Sequence, residues 1–500
     1  MVRKFDVKRT KIVCTIGPKS SDEATLREMI RLGMDVARIN FSHGDYATHQ
    51  RNIETIRRIA AEEGAVVAVM ADLQGPKIRL GMLANEPILI KHGDQLTLTT
   101  NPDADGTNMV FPLPHPEFLQ DVKEGQRLLL DDGNFQFQVL ARQGDDVLCK
   151  VIVGGEIRSR KGVSAPESKL KMSALTPKDI EDVKFAMGVG VDYVAMSFVR
   201  SANDMRELRW LCKHSGEDDI ALIAKIEKQD ALQNFEEILA ESDGIMVARG
   251  DLGVETPAEA VPIHQKEIIR RCNAAGKPVI TATQMLQSMT ENPRPTRAEA
   301  SDVANAILDG TDAVMLSNET AAGDFPVEAV KTMATIALMT EKHYAELSHE
   351  YQRPQQTVVT PLNLVDDPEN ISIATSRAAS LIADSLNARL IVTASYTGTT
   401  ARLIARTRPR TSILCATTNE LTCRRLALVW GVYPMLVPQF TSIDEMIAKI
   451  VGTAHDADMV QWGDTLVLIA GVPFGLVGQA NFLKIHRVGE ASEVPAPVGG

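Results

Sequence analysis

Aromatic residues make up only 4 % of the 500-residue sequence, and its six cysteines are scattered: Cys14, Cys149, Cys212, Cys272, Cys415 and Cys423. No two have C-x-x-C spacing, which argues against a thioredoxin-like motif or a cysteine-built zinc site. Domains of this size need no disulfides, so a reducing, cytoplasmic setting is the expectation. The longest apolar stretch, 465–477, is broken by Gly and Pro and is too short to span a bilayer. Met1 to Thr10 is charged and carries no signal-peptide core. Basic residues are outnumbered, 53 Lys and Arg against 65 Asp and Glu, for a net charge of −12. General affinity for nucleic acid is therefore not expected. Anionic small molecules remain possible ligands, through local Lys and Arg.

What is present is a rhythm. Apolar runs recur at Lys11–Gly17, Asp35–Phe41, Val66–Asp72, Asp192–Phe198, Ile220–Glu227, Gly244–Asp251, Pro278–Thr283 and Ala313–Ser317. Amphipathic helical patterns lie between most of them, clearest at Asp22–Leu32, Thr48–Glu63, Pro177–Gly188 and Ala258–Ala275. Thr176-Pro177 is a helix start, an N-cap followed by Pro at the first helical position. Continuous apolar strands alternating with helices predict a parallel sheet covered on both faces, and eight of them predict a (β/α)8 TIM barrel.

The spacing breaks once, between the third and fourth runs. The segment Gly75–Lys171 alternates polar and apolar residues and is punctuated by Asp-Gly, Gly-Asp and Gly-Gly turns. It reads as a small antiparallel β-barrel domain set on a barrel loop, where a lid would sit. A polar arm at 348–370 precedes renewed strand–helix alternation. The predicted division is therefore a catalytic barrel at 1–74 and 172–346, a lid at 75–171, a C-terminal α/β sheet domain at 347–489 and a disordered tail at 490–500.

In a barrel, chemistry collects at the C-terminal ends of the strands. The second run ends Arg38-Ile39-Asn40-Phe41-Ser42-His43, the third Asp72-Leu73-Gln74-Gly75-Pro76-Lys77-Ile78-Arg79, and the fifth Lys225-Ile226-Glu227. The sixth ends Arg249-Gly250-Asp251, the seventh Thr281-Ala282-Thr283 and the eighth Ser317-Asn318-Glu319. Lys225 and Glu227 share a strand face. Asp251, on the next strand, can approach Glu227, and two close carboxylates repel unless a cation lies between them. Mg²⁺ or Mn²⁺ suits one or two carboxylates plus substrate oxygens. Lys225 then serves as an electrostatic partner for charge developing on a substrate, with Arg38, Arg79 and the Gly250–Asp251 amides as further anion contacts. Taken singly, a Lys-x-Glu is usually a surface ion pair, a Gly-Asp a turn, and His43 a structural histidine. Their joint occurrence at successive strand ends is what stability does not require.

These motifs, with Pro293-Arg294-Pro295-Thr296-Arg297-Ala298-Glu299, resemble in content and order those of the pyruvate kinase family, over nearly the whole chain. The resemblance implies phosphoryl transfer from phosphoenolpyruvate to ADP in a homotetramer whose C-terminal domain binds a phosphorylated effector. It implies that Glu227 and Asp251 hold Mg²⁺ or Mn²⁺, that a second ion arrives with the nucleotide, and that Lys225 stabilises the transferring phosphoryl group and the enolate. Gly250, Asp251 and Thr283 would bind the three-carbon acid, and Arg38 the phosphate. Arg79, Lys161 and His43 would serve the nucleotide, and Thr283, through water, is the candidate for the final proton transfer. Ser395, Thr397, Gly398 and Thr400 would form the effector site, with 471–478 as a nearby loop. Three departures stand out. Asn318 replaces a frequent Gly, an exchange that a left-handed turn tolerates. Ser164 and Ala165 alter a lid motif. Lys77 stands where K⁺-requiring members carry Glu, so the monovalent-cation positions Asn40, Ser42, Asp72 and Leu73 are expected to need no K⁺, the ammonium supplying that charge. A Mg²⁺-dependent lyase or aldolase acting through a pyruvate enolate shares the metal logic but has no use for Arg79 and Lys161.

Overall fold

The computed structural model describes residues 8–215, 219–350, 370–472 and 480–489. The arm at 348–370 apart from its ends, most of the 471–478 loop and the 490–500 tail lie outside the described residues. Eight parallel strands close into a barrel: Lys11–Ile16, Val36–Asn40, Ala68–Asp72, Tyr193–Met196, Ala221–Ile226, Gly244–Ala248, Val279–Ala282 and Ala313–Leu316. Each pairs with its sequence neighbours, and the first pairs with the last.

Local sequence explains the surrounding helices. Asp22 and Asp45 cap the helices Glu23–Leu32 and Tyr46–Glu62, their carboxylates accepting from Thr25 and Thr48 amides. Thr176 and Asp179 form a capping box with Pro177 at the first helical position of Pro177–Gly188. The inner faces of these helices bury Leu26, Ile30, Ile53, Ile56 and Val183 against the outer face of the strands.

Inside the barrel, Val13, Met70, Ile223, Met246, Ile280 and Met315 fill the lower layers, and Ala427 and Leu428 of the C-terminal domain pack into the same cluster. The floor is thus plugged by residues from another domain. Register sets the mouth: Asn40 lies beside Asp72, and Asp72 beside Ala195. The third strand therefore delivers its carboxylate between the second and the fourth.

The insert departs from a closed antiparallel barrel in two respects. Beside a two-stranded antiparallel sheet of Ile88–Ile90 and Gly155–Ile157, it has a six-stranded sheet whose end strands, Val163–Ser164 and Val110–Pro112, do not pair with each other, and Val110–Pro112 runs parallel to Gln95–Thr99. Both end strands are only two or three residues long. Pro112 cannot donate to a further strand. The C-terminal domain is a five-stranded sheet, parallel except for Phe482–Arg487, an edge strand that the sequence pattern did not disclose. Among the described residues no helix is long and apolar enough to cross a membrane.

Candidate functional site

The charged strand ends converge. Lys225, buried, points its ammonium at Glu227 Oε1 (2.9 Å), Asp72 Oδ1 (3.2 Å) and Ser197 Oγ (2.7 Å). The Asp72 contact is an ion pair without hydrogen-bond alignment. The other oxygen of Asp72 accepts from Arg38 Nε at 2.6 Å, and Arg38 Nη1 donates to Thr15 Oγ1 at 2.9 Å. Glu227 Oε2 accepts from the Phe198 amide at 2.7 Å. Four strands and the turn after the fourth thus tie one network together.

The charges in it are tuned by their neighbours. Burial opposes the positive charge of Lys225, but Asp72 and Glu227 outweigh it and raise its pKa above the ordinary lysine value. Burial likewise opposes the charge on Asp72, yet Lys225 and Arg38 hold its carboxyl below the usual range. Glu227 goes the other way. Burial raises it, Lys225 counteracts, and repulsion from Asp251 raises it further. A buried ionic cluster is a weak source of stability, because stripping water from each ion costs several kcal/mol and apolar replacements are often as good. Stability gives no reason for this one.

Among the described residues no group of three or more His, Cys, Asp or Glu is arranged to hold a metal. Carboxylates do share a cleft: Glu227 and Asp251, with Asp132 and the Lys228-paired Glu255, line one of about 740 Å³, open mouth included, between the barrel and the lid. Their mutual repulsion and all-oxygen chemistry fit a hard divalent cation that takes its other ligands from substrate and water. Asp251 lies in the short helix Arg249–Glu255 that follows the sixth strand. Beside it, the Gly250 amide donates to Thr283 Oγ1 (2.8 Å), and that hydroxyl donates to the Ala282 carbonyl (2.6 Å).

Thr283 and Gln284 both have positive φ, 69° and 53°, a costly backbone for residues with a β carbon. Arg249 holds that turn, its guanidinium donating to the carbonyls of Thr283 (2.7 Å) and Ala282 (3.3 Å) and pairing with Asp302 (2.7 Å). Arg249, Ser197, Thr15 and Glu319 were not singled out from sequence. Arg249 stands inside the Ala248–Asp251 string, and the other three are polar residues at or just beyond apolar strand ends, which is the signal that marks them.

Asn318 is a correction. It has no left-handed backbone but opens the helical turn Asn318–Ala321. Glu319 closes that turn, accepting from the Ser317 amide (2.7 Å) and from the Leu286 amide (3.1 Å), so no positive φ is needed.

The nucleotide candidates are gathered only in part. Arg79 bridges to Gly162 and donates to the Arg160 carbonyl at 2.9 Å, and Lys161 pairs with Asp131 at 2.8 Å, all within the inserted segment. His43 is exposed on the loop after the second strand, with no hydrogen bond to either. Lys77 is exposed and lines the same cleft as Glu227 and Asp251, without an ion pair to Asp72. The monovalent-cation positions are already engaged: Asn40 Oδ1 accepts from the Ser42 amide (3.1 Å), the Leu73 carbonyl accepts from Ser197 (2.7 Å), and Asp72 is paired as above. In the C-terminal domain, Ser395 Oγ accepts from the Gly398 amide (3.0 Å) and Thr397 bonds Thr399 (2.9 Å), at the start of the helix Thr399–Arg406. Thr400 is the second residue of that helix.

A (β/α)8 barrel whose mouth sets a buried lysine among carboxylates under a lid is an enzyme fold built to handle an anionic substrate and to stabilise charge as it moves. The profile described as "Pyruvate kinase, barrel domain" matches residues 7–330, and "Pyruvate kinase, alpha/beta domain" matches residues 373–486. The chain is 44 % identical to the pyruvate kinase of Staphylococcus saprophyticus (97 % of this chain, 81 % of the relative). It is 43 % identical to that of Clostridium perfringens (96 % and 100 %). A crystal structure of a pyruvate kinase from Cryptosporidium parvum superposes with a TM-score of 0.88 at 37 % identity, over 97 % of this chain and 98 % of that one. The chain belongs to the pyruvate kinase family, phosphotransferases that pass the phosphoryl group of phosphoenolpyruvate to ADP. The lyase or aldolase reading is not favoured.

Proposed function

We propose that the network centred on Lys225 is the catalytic centre for this transfer. The observation that carries the proposal is a buried ammonium held between Asp72 and Glu227, the second of which lines the cleft. Phosphoryl transfer asks the protein mainly for positioning and charge neutralisation. Lys225 keeps its proton through the reaction, since both carboxylates favour it, and sets a fixed positive charge against the phosphoryl group and the enolate oxygen. Arg38, oriented by Asp72 and Thr15, binds the substrate phosphate. The Gly250 amide region, Asp251 and Thr283 receive the three-carbon acid. Glu227 and Asp251 would hold Mg²⁺ or Mn²⁺, which supplies Lewis-acid polarisation of substrate oxygens when bound. Arg79 and Lys161 in the inserted segment, with His43 from the barrel loop, serve the nucleotide and its accompanying ion. The Thr283 hydroxyl, now donated to the Ala282 carbonyl, must rotate to take part in protonating the enolate.

K⁺ is not required in this reading. Asp72 already has two cationic partners, and Lys77 adds an ammonium in the cleft. The Ser395–Thr400 segment takes a phosphorylated effector, hydroxyls and amides at a helix N-terminus being suited to phosphate. Its measure is an activation screen over sugar phosphates and AMP, where activation unchanged in Thr397→Ala counts against the site. A cytoplasmic homotetramer and the domain division at residues 74/75, 171/172 and 346/347 belong to the same reading. The deciding experiment is a coupled assay with phosphoenolpyruvate, ADP and Mg²⁺ in sodium- and potassium-free buffer. Turnover should change less than about twofold on adding K⁺, and a tenfold or greater stimulation refutes K⁺ independence.

A further inference from the structure

Both connections of the lid are tied to the barrel at one residue. The Gly75 amide donates to Asp179 Oδ1 (3.1 Å), and the Thr176 amide and hydroxyl donate to Asp179 Oδ2 (2.8 and 2.6 Å), at the start of the helix Pro177–Gly188. That aspartate is fully buried and marks the pivot. On the lid side of it, Arg200 grips the returning connection. Its Nη1 donates to the Leu170 carbonyl (2.6 Å) and its Nη2 to the Met172 carbonyl. The side chains of Leu170 and Met172 pack against the lid core. The Arg200 backbone is bonded to the barrel, its amide donating to Asp204 Oδ2 (2.8 Å) and its carbonyl accepting from Asn234 Nδ2 (2.8 Å). The guanidinium is therefore a post with a rigid fork rather than a loose tether.

Two residues earlier, Phe198 has φ 56°, an outlier for a bulky side chain. Its amide donates to Glu227 Oε2 (2.7 Å). Its ring lies against Gly75, where a β carbon would stand 2.8 Å from Phe198 Cδ2, and Gly75 itself has φ 66°. The Lys228 ammonium stands 5.6 Å from the ring centroid. The preceding residue, Ser197, bonds Lys225 and the Leu73 carbonyl. The segment 197–200 therefore touches the buried lysine, the carboxylate beside it and both lid connections. Stability does not ask for an aromatic residue at this φ, since glycine takes it freely. Strain of this kind persists where surrounding contacts over-determine it, and it collects at sites that switch or clamp.

We infer that the segment 197–200 couples Glu227 to the lid, with Phe198 and Arg200 as positioning residues, so that a divalent cation on Glu227 and Asp251 orders both lid connections before any nucleotide arrives. The inference rests on the reading of those two carboxylates as the ion's ligands. A cation that fixes the Glu227 carboxylate also fixes the Phe198 amide that donates to it. The ring against Gly75 and the fork on Leu170 and Met172 lose freedom with it. The ordering cost of the two connections is then met when the ion binds, and the nucleotide meets a lid already placed. Linkage makes the coupling reciprocal: a lid held in place tightens the ion.

The test is hydrogen exchange followed by mass spectrometry on the full-length protein, without substrates, with and without saturating Mg²⁺. In the unaltered protein Mg²⁺ should slow exchange at least ~5-fold in peptides covering 73–80 and 168–176, as well as in those holding Phe198, Glu227 and Asp251. Phe198→Gly keeps the amide that serves Glu227, relieves the backbone and removes the ring. Arg200→Gln replaces the fork by one shorter amide. In both variants the Mg²⁺ effect on 168–176 should vanish, while the Mn²⁺ dissociation constant, read by electron paramagnetic resonance, stays within ~5-fold. A fold merely weakened by the substitutions would exchange faster with and without the ion alike. Mg²⁺ protection of 168–176 that persists in both variants overturns the inference. So does protection around Glu227 in the unaltered protein with none at the lid connections. Absence of protection at Glu227 and Asp251 as well overturns the ion reading and the inference with it.

Discussion

At the floor of the barrel Asp192 is fully buried, with Arg57 Nη2 at 2.6 Å, Arg424 Nε at 2.7 Å and the Val69 amide at 2.7 Å around it. At the mouth Asp72 is as deeply buried, with Arg38 at 2.6 Å and Lys225 at 3.2 Å. The two aspartates share a residue type and a depth. The floor carboxylate is closed over: Arg424 comes from the C-terminal domain, which also seals the barrel with Leu428. The mouth carboxylate belongs to a cluster that opens on a cleft, and that cluster carries a fault, Glu227 beside Asp251. A charge network completed by its own chain joins domains. One left with a like-charge repulsion is set for a ligand. Depth of burial does not separate these roles; completeness of pairing does.

Removing a mouth carboxylate should break the comparison most visibly. Glu227→Gln is expected to lower kcat/KM by roughly 10³-fold, equivalent to about 4 kcal/mol, and to abolish tight Mn²⁺ binding followed by electron paramagnetic resonance. Its melting temperature should change little, since Gln keeps an oxygen for the Phe198 amide, Lys225 keeps Asp72 as a partner, and the repulsion from Asp251 is relieved along with the lost pair. Retained Mn²⁺ affinity would show that the two carboxylates do not share an ion.

Asp192→Ala should do the reverse. Stripping both arginines of their buried partner costs about 3 kcal/mol, read by denaturant unfolding, with kcat of the folded enzyme within twofold. A loss of turnover at unchanged stability would erase the distinction between the two ends.

A smaller, graded effect comes from pH. Glu227 has its pKa raised above the ordinary 4.5 by burial and by Asp251, while Asp72 is held below its ordinary 3.8. Cation binding needs Glu227 ionised. As pH falls, the proton therefore begins to compete above 4.5, and the Mn²⁺ dissociation constant should weaken about tenfold per unit once below the raised pKa. Onset only below 4.5 would contradict the shift.

Much of this was legible in the sequence because its signals are local. Apolar runs and capping residues gave the eight barrel strands and the helices between them, and strand polarity gave the face shared by Lys225 and Glu227. What escaped depends on register and on other domains. Ser197 matters because the fourth strand lies beside the third and fifth, where one hydroxyl spans Lys225 and the Leu73 carbonyl. Arg249 stands in the string that supplies Asp251, but its guanidinium holds the Thr283 turn, a contact with the next strand that no local signal shows. The open lid sheet and the edge strand Phe482–Arg487 follow from pairing choices made at long range. The backbone of Asn318 was decided by the Glu319 carboxylate, not by its own preference.

The central claim is that Lys225 is a fixed charge for the reaction rather than a structural ion pair. The most direct measurement is turnover of Lys225→Met in the coupled phosphoenolpyruvate–ADP assay, with Mn²⁺ affinity measured on the same sample. The account predicts a fall in kcat of at least ~10²-fold with the Mn²⁺ dissociation constant changed less than threefold. Near-normal turnover, or a loss wholly explained by lost Mn²⁺ binding, would contradict it.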